Sequence, residues 1–438
     1  MVTLKAMIND RGYTQVHFVD ANTLQPVDSD VDPVKNKLFN QDILSDNTDG
    51  SVSILHSSVR SMKNIPGVLV LEKNKTYGKR KGKLLYKCIP DDRRLPIFLI
   101  TYKMKYAFNK NIGNKYIVFT FLEWNDKHPI ASIKQIIGDV DQLYSFYEYQ
   151  LYCKSLYASI QDFTKKTIKL IREKSEEKYI QEIKQKYKIE NREDRYIFSI
   201  DPKNSKDFDD AFGFKIMENK IVLSIYISNV FFWMDIMDLW SSFTNRIATI
   251  YLPDRKRPML PTVLSDTLCS LIKDSVRFAF TFDIVLDAET FEILEHSYTN
   301  SSIIVKDNFV YDTEEQESSK EYIQLLDIVG RMNKKYNYLE NINTSHDLVA
   351  YLMVLMNNYS AMKLKDYKCG LFRSFKLNKQ YEAPDMLPKN IQKFLKIWNS
   401  NGSKYSKFDS MGSHDMMNLD AYVHITSPIR RLPDLLTM

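Results

Sequence analysis

The sequence predicts a multidomain α+β chain in which small β-units come first, a helical connector follows, and a mixed α/β domain completes it. Three observations predict this order. Short strand-like runs separated by turn residues recur over the first 140 positions; residues 139 to 190 keep roughly helical spacing without a glycine or proline; and beyond residue 195 strands alternate with helices. A chain of 438 residues has room for two to four domains, each able to bury its own core.

The first unit, residues 1–62, carries strand-like pieces at Leu4 to Met7, Tyr13 to Phe18 and Val52 to Leu55. The second, residues 63–140, shows a more regular series: Val68 to Glu72, Lys83 to Ile89, Ile97 to Tyr102 and Tyr116 to Phe121. Regular short strands suggest a barrel or sandwich. Its first hairpin gathers Lys73, Lys75, Lys79, Arg80, Lys81, Lys83 and Lys87 around Tyr77 and Tyr86. Such charge runs are commonly solvated hairpin tips. A groove of cations and rings is also what single-stranded nucleic acid requires, so Lys79, Arg80 and Lys81 are candidate nucleic-acid contacts.

Residues 141–192 read as the helical connector, and residues 193–438 as the mixed domain. Near the start of that domain, Asp201, Asp207, Asp209 and Asp210 put four carboxylates into ten residues. Like charges this close repel, and a buried cluster needs compensating positive charge. A hard divalent cation, Mg²⁺ or Mn²⁺, supplies it, and a pair of them ~4 Å apart can hold both oxygens of a phosphodiester. A solvated acidic turn is the plain alternative. A calcium loop of EF-hand type is disfavoured, because its sixth and twelfth positions hold Lys206 and Phe212 rather than glycine and glutamate. If Asp207 to Asp209 is extended, those two carboxylates share a side and Asp210 faces away.

Composition narrows the classes further. Hydrophobic residues are 44% and aromatics 13%, with 12 glycines and 14 prolines, which excludes a low-complexity chain. The 61 basic and 55 acidic residues leave only +6, which informs only where charge clusters. Cys88, Cys153, Cys269 and Cys369 form no CxxC pair, so neither a zinc site nor a disulfide framework is indicated. No apolar run reaches the ~18 residues of a membrane span, and no signal peptide precedes the first strand. The expectation is a soluble intracellular protein, cytoplasmic or nuclear, with no membrane partner.

Five motifs then occur in order. They are the acidic decapeptide, Tyr251-Leu-Pro with Pro258-Met-Leu-Pro, Leu264-Ser-Asp-Thr-Leu-Cys-Ser-Leu271, Ser345-His-Asp-Leu-Val349, and Tyr422-Val-His-Ile-Thr-Ser-Pro-Ile-Arg-Arg431. Together they resemble the ribonuclease II (RNB-domain) family of 3′→5′ exoribonucleases, from about residue 195 to 434. Upstream, Tyr116 to Gly138, with Trp124, His128 and Pro129, is similar to the end of that family's second cold-shock barrel.

The resemblance implies two OB-type, cold-shock-like barrels and an RNB catalytic domain. It implies processive, metal-dependent 3′→5′ hydrolysis of single-stranded RNA to nucleoside 5′-monophosphates with Mg²⁺ or Mn²⁺. Asp201, Asp207, Asp209 and Asp210 fall on the family's acidic positions as metal ligands or holders of the attacking water, and Arg430 on its catalytic arginine. Tyr251 matches the aromatic residue at the 3′-terminal nucleotide, and Tyr311 a second RNA-contacting tyrosine.

Several positions depart from the family pattern. Ile227-Ser-Asn229 stands where an Ile-Ala-Asp-like turn is usual, Ala350 and Tyr351 where many members carry glutamates, and Pro433 in the first turn of a helix. The segment between Tyr311 and Ser345 is short for the family, and the sequence stops at Met438, before the end of the family's catalytic domain. Two functions follow: the exoribonuclease, or an RNB-like RNA-binding scaffold without full turnover.

Overall fold

The computed structural model describes residues 2–46, 51–103, 113–378 and 380–438. It divides into two compact units, Met1–Tyr157 and Ala158–Met438.

The first unit holds two sheets. Strands β1 (Val2–Ile8), β2 (Val16–Asp20), β3 (Pro26–Val27), β4 (Ile43–Asp46) and β5 (Val52–His56) form one sheet in the order β3-β2-β1-β4-β5. The second contains β6 (Ile65–Val70), β7 (Lys79–Arg80), β8 (Lys83–Pro90), β9 (Phe98–Thr101), β10 (Lys115–Glu123) and β11 (Ile130–Asp139). Its order, β6-β10-β11-β9-β8, is closed by a β6–β8 pairing, with β9 and β11 parallel. That closed five-stranded barrel is the OB arrangement. Alternation builds its interior: Ile65, Leu69, Tyr86, Cys88, Phe98, Ile100, Ile117 and Phe119 all turn inward. β11 was not expected from the sequence. Of its residues only Ala131 is buried, and the middle faces solvent, so Ile130–Asp139 lacks a clean period of two.

The expected connector is three separate helices. Leu143–Cys153 lies in the first unit, and Gln161–Glu173 and Glu176–Lys186 in the second.

The second unit is built on a seven-stranded sheet. Its strands are β12 (Glu190–Asn191), β13 (Phe198–Asp201), β14 (Asp210–Ile216), β15 (Lys220–Ser228), and, after a small hairpin of β16 (Ile250–Tyr251) and β17 (Lys256–Arg257), β18 (Val276–Asp287), β19 (Ile293–Ile304) and β20 (Asp307–Val310). The order is β12-β19-β18-β15-β14-β13-β20. Phe198, Ile200, Phe212, Ile225 and Phe282 pack one face against the helices Lys320–Tyr336 and Ser345–Asp366, through Leu325, Val329, Leu352 and Leu355. Ile197, Ala211, Tyr226 and Ala279 turn to the other face, so β13 and β14 are covered on both sides, which explains their continuous apolar runs. At β14 the chains approach closely: a Cβ on Gly213 would lie 2.9 Å from the Tyr196 carbonyl.

A second core of Phe163, Tyr179, Val230, Trp233, Leu264, Phe278 and Ile429 sits beneath the short helix Val230–Ile236. The observed helix ends at Ile236 because Asp238 takes the left-handed conformation (φ 46°) and reverses the chain. Farther along, the helix Lys389–Trp398 is followed by a short strand, Lys404–Lys407. Among the described residues no helix is long and apolar enough to cross a membrane.

Candidate active site

The acidic loop links the end of β13 to the start of β14. It opens with a turn in which the Ser205 N–H donates to the Pro202 carbonyl and Asn204 adopts φ 72°, a conformation asparagine tolerates. From Lys206 to Asp209 it is irregular, and its backbone is pinned from outside. Buried Ser270 Oγ accepts the Phe208 N–H at 2.9 Å and donates to the Lys206 carbonyl at 2.7 Å. The Leu271 N–H donates to the Phe208 carbonyl, and the Ser228 N–H to the Asp209 carbonyl. Phe208 packs against the core of Ile197, Ala211 and Leu271. A free solvated turn is thereby excluded; the loop is a fixed part of the core edge.

The four carboxylates meet different partners. Asp209, 2% exposed, accepts the Ile429 N–H on Oδ1 at 2.9 Å and Arg430 Nε on Oδ2 at 3.0 Å. Asp207 accepts Lys256 Nζ at 2.8 Å and the Tyr251 hydroxyl at 3.4 Å. Asp201 ends β13, and its Oδ2 is buried without a hydrogen-bond partner. Asp210 opens β14, paired with Ile227. The charges of Asp201 and Asp210 both act on Tyr311, whereas those of Asp207 and Asp209 act on Tyr251. The stretch Asp207 to Asp209 is not extended, so the condition for those two carboxylates to share a side by strand periodicity is not met.

Burial is the main force on these groups. It pushes Asp201, Asp209 and Asp210 up to about 7, reinforced by repulsion from neighbouring carboxylates and opposed by Arg430. Among the described residues no three His, Cys, Asp or Glu side chains converge into a ready-made metal cage. The donor set that suits a hard cation is the pair Asp201 and Asp210, neither hydrogen-bonded to a cationic side chain among the described residues, with Asp201 Oδ2 still lacking a partner.

Arg430 is held by the segment around it. The helix Ser345–Asp366 contributes Asn357, whose Oδ1 accepts the Ile425 N–H at 3.0 Å and whose Nδ2 donates to the Tyr422 hydroxyl. Buried Asp434 accepts the Ser427 N–H and Arg431 Nη2 at 2.8 and 2.7 Å. Pro433 fits the first turn of Leu432–Thr437, where its missing N–H costs nothing. Arg430 then reaches Ser427 Oγ with Nη2 at 2.9 Å, and its carbonyl accepts the Thr249 N–H, tying it to the strand that leads to Tyr251. Tyr251 stands 59% exposed. Tyr311 follows β20 directly, donates its N–H to the Asp201 carbonyl, and stacks on His346 with centroids 4.0 Å apart.

Nearby His424 is neutral. Arg373 can only donate, so His424 Nε2 accepts it at 2.9 Å and Nδ1–H faces the Tyr405 hydroxyl; burial and the adjacent arginines push the ring down to about 2.

The site therefore unites Asp201, Asp207, Asp209, Asp210, Arg430, Tyr251 and Tyr311 within the second unit. Lys79, Arg80 and Lys81 lie in the first, where Lys79 and Lys81 are exposed and Arg80 is half-buried in an ion pair with Glu123. Sequence reasoning missed Lys256, Ser270, Asn357, Ser427, His346 and Asp434. Ser270, His346 and Ser427 stand inside recognised motifs, and that position was their one available signal.

The RNB domain family matches residues 189–324 and 313–438, more than half of the chain. The chain belongs to the RNB-domain family. Ribonuclease R of Helicobacter pylori is 25% identical over 420 residues, covering 77% of this chain and 62% of that protein. Ribonuclease R of Ureaplasma parvum is 30% identical over 198 residues, covering 44% and 26%. This chain thus spans at most about three fifths of these relatives' length. Among solved structures, Mycoplasma genitalium RNase R in complex with ribose methylated single-stranded RNA aligns with TM-score 0.69 at 18% identity, over 99% of this chain and 78% of that one. Yeast Ssd1, a pseudonuclease, aligns with TM-score 0.61 at 13% identity, over 100% and 68%. These likenesses establish the fold, β-barrels followed by an RNB domain, and the RNB match covers all four carboxylates and Arg430.

Proposed function

We propose that this RNB protein is a metal-dependent, processive 3′→5′ exoribonuclease that hydrolyses single-stranded RNA to nucleoside 5′-monophosphates. The observation that carries the reading is the meeting of the acidic loop with Arg430, flanked by Tyr251 and Tyr311. The likeness to proteins named Ribonuclease R supports it.

In this reading Arg430 grips the scissile phosphate and offsets the charge that grows there, while Asp209 fixes the guanidinium's direction. Beside that guanidinium, Asp209 also orients the attacking water. Tyr251 offers a ring to the 3′-terminal base and the Tyr311–His346 pair a second stacking surface, contacts that tolerate any base. Asp201 and Asp210 would hold Mg²⁺ or Mn²⁺, which when bound supplies Lewis-acid stabilisation of the phosphate oxygens; such ions commonly take one or two protein carboxylates with phosphate and water. Lys79 and Lys81 of the barrel give long RNA a further electrostatic contact.

The test is a 5′-labelled single-stranded RNA incubated with the chain and Mg²⁺ or Mn²⁺, beside Asp209→Asn. The expected result is a shortening ladder abolished by EDTA and strongly reduced by the substitution. Binding without shortening in either protein would sink the reading in favour of the RNB-like scaffold. A matched DNA oligonucleotide reports on sugar choice, since the 2′-hydroxyl is what separates the two.

A further inference from the structure

The acidic loop does not present four equivalent carboxylates. Asp209 is matched by Arg430 Nε at 3.0 Å and the Ile429 N–H at 2.9 Å. Asp207 is matched by Lys256 Nζ at 2.8 Å, and the same ammonium lies 3.1 Å from Asp266 Oδ1. Among the described residues, Asp201 and Asp210 have no such cationic partner.

Lys256 is not a loose surface lysine resting on a convenient carboxylate. Its side chain is only 26% exposed, between side chains of Asp207 and Asp266 that are 12% and 17% exposed. Its backbone is fixed in β17, directly opposite Tyr251 of β16. Asp266 is in turn oriented by Ser265 Oγ at 2.6 Å, in the helical turn Leu264–Leu268. Two half-buried carboxylates converge on one ammonium from two separate elements. A compact cation with three donors held between two anions stands where a divalent ion bridging those carboxylates would have to sit.

From this geometry we infer that Lys256 is a resident cation in the acidic loop, taking the place of a second divalent ion, so that the chain binds one Mg²⁺ or Mn²⁺ rather than two. The inference rests on the proposed function for the first ion, held by Asp201 and Asp210. It adds that the outer half of the loop is charge-balanced by the chain itself. Lys256 is then a positioning residue: it keeps Asp207 still and, through the β16–β17 pairing, keeps Tyr251 over the same carboxylate.

Mn²⁺ stoichiometry decides it, measured by calorimetric titration and by electron paramagnetic resonance of free Mn²⁺, without RNA. Wild type is expected to bind one ion, Lys256→Met two, and Lys256→Arg one again. In the Lys256→Met background, Asp207→Asn should remove the second ion and leave the first, whereas a merely structural role for Lys256 would leave the count unchanged. Two ions on wild type, or one on a folded Lys256→Met protein, overturns the inference while leaving RNA shortening as a separate result. No ion on wild type overturns the inference together with the Asp201–Asp210 assignment, and the labelled-RNA ladder then shows independently whether hydrolysis stands.

Discussion

Arg430 donates its Nε–H to Asp209 Oδ2 across a sequence separation of 221 positions. Asp209 is enclosed, while the arginine side chain remains 45% exposed on its far side. Nε and Nη2 of the guanidinium are thus committed to Asp209 and Ser427. Arg430→Lys removes the fork and its fixed direction. Single-turnover cleavage of RNA is expected to fall about 10²-fold or more, with RNA affinity changed far less.

The acidic loop gives the metal-free protein a definite pH response. Burial pushes Asp201, Asp209 and Asp210 up to about 7, against ~3.9 for an unfolded aspartate. Between those values the folded chain holds more protons than the unfolded chain, so this cluster's contribution to stability falls as pH rises from about 4 to about 7. His424, pushed down to about 2, acts in the opposite direction below its unfolded value of ~6.5. A variant comparison isolates the loop. In EDTA, Asp201→Asn should melt close to wild type at pH 4 and above it at pH 7.5, and Mn²⁺ should raise only the wild type. Parallel melting curves across that range would contradict this.

Ser270 locks the loop through both of its hydrogen bonds. Ser270→Ala leaves a buried N–H and a buried carbonyl unpaired, a loss of about 1–3 kcal/mol each at most. Urea unfolding should show a stability loss in that range, with kcat reduced and the Kd for RNA little altered, because in the proposed function the loop serves the cleavage step rather than the RNA path.

Tyr251 presents an exposed ring beside Asp207. Tyr251→Ala should weaken a short oligonucleotide by ~1–3 kcal/mol, the value of one stacked base, whereas Tyr251→Phe should keep most of that affinity. Fluorescence anisotropy with a labelled four-nucleotide RNA separates the two.

On the barrel hairpin, Lys79 and Lys81 are exposed and able to meet phosphate while Arg80 is occupied by Glu123 at 2.5 Å. Lys79→Ala with Lys81→Ala should weaken long RNA and reduce the slope of log K against log salt by ~0.7 for each phosphate that is no longer neutralised. An unchanged slope would remove this hairpin from the RNA path.

The strands of the barrel and sheet were legible because Leu85 to Ile89 and Phe198 to Ile200 carry strong apolar patterns. The acidic positions and Arg430 were legible as motifs. Their grouping was not, because it depends on partners distant in sequence. Asp207 is 49 residues from Lys256 and Phe208 is 62 from Ser270, and no local pattern encodes such pairs. β11 escaped notice because its exposed middle, Lys134 to Ile136, breaks the alternation. The helix Lys389–Trp398 escaped because it starts at Pro388 without a side-chain cap and buries no residue.

The distance along the chain between Asp209 and Arg430 also orders events on the ribosome. At ~5–20 residues per second, roughly ten to forty seconds separate the synthesis of the two. Throughout that interval the acidic loop exists without its arginine, and the segment Ser427–Asp434 that carries it has not been made. A nascent or prematurely terminated chain therefore holds the carboxylates without the guanidinium that pairs with Asp209. The proposed site is therefore complete only once that segment has been made.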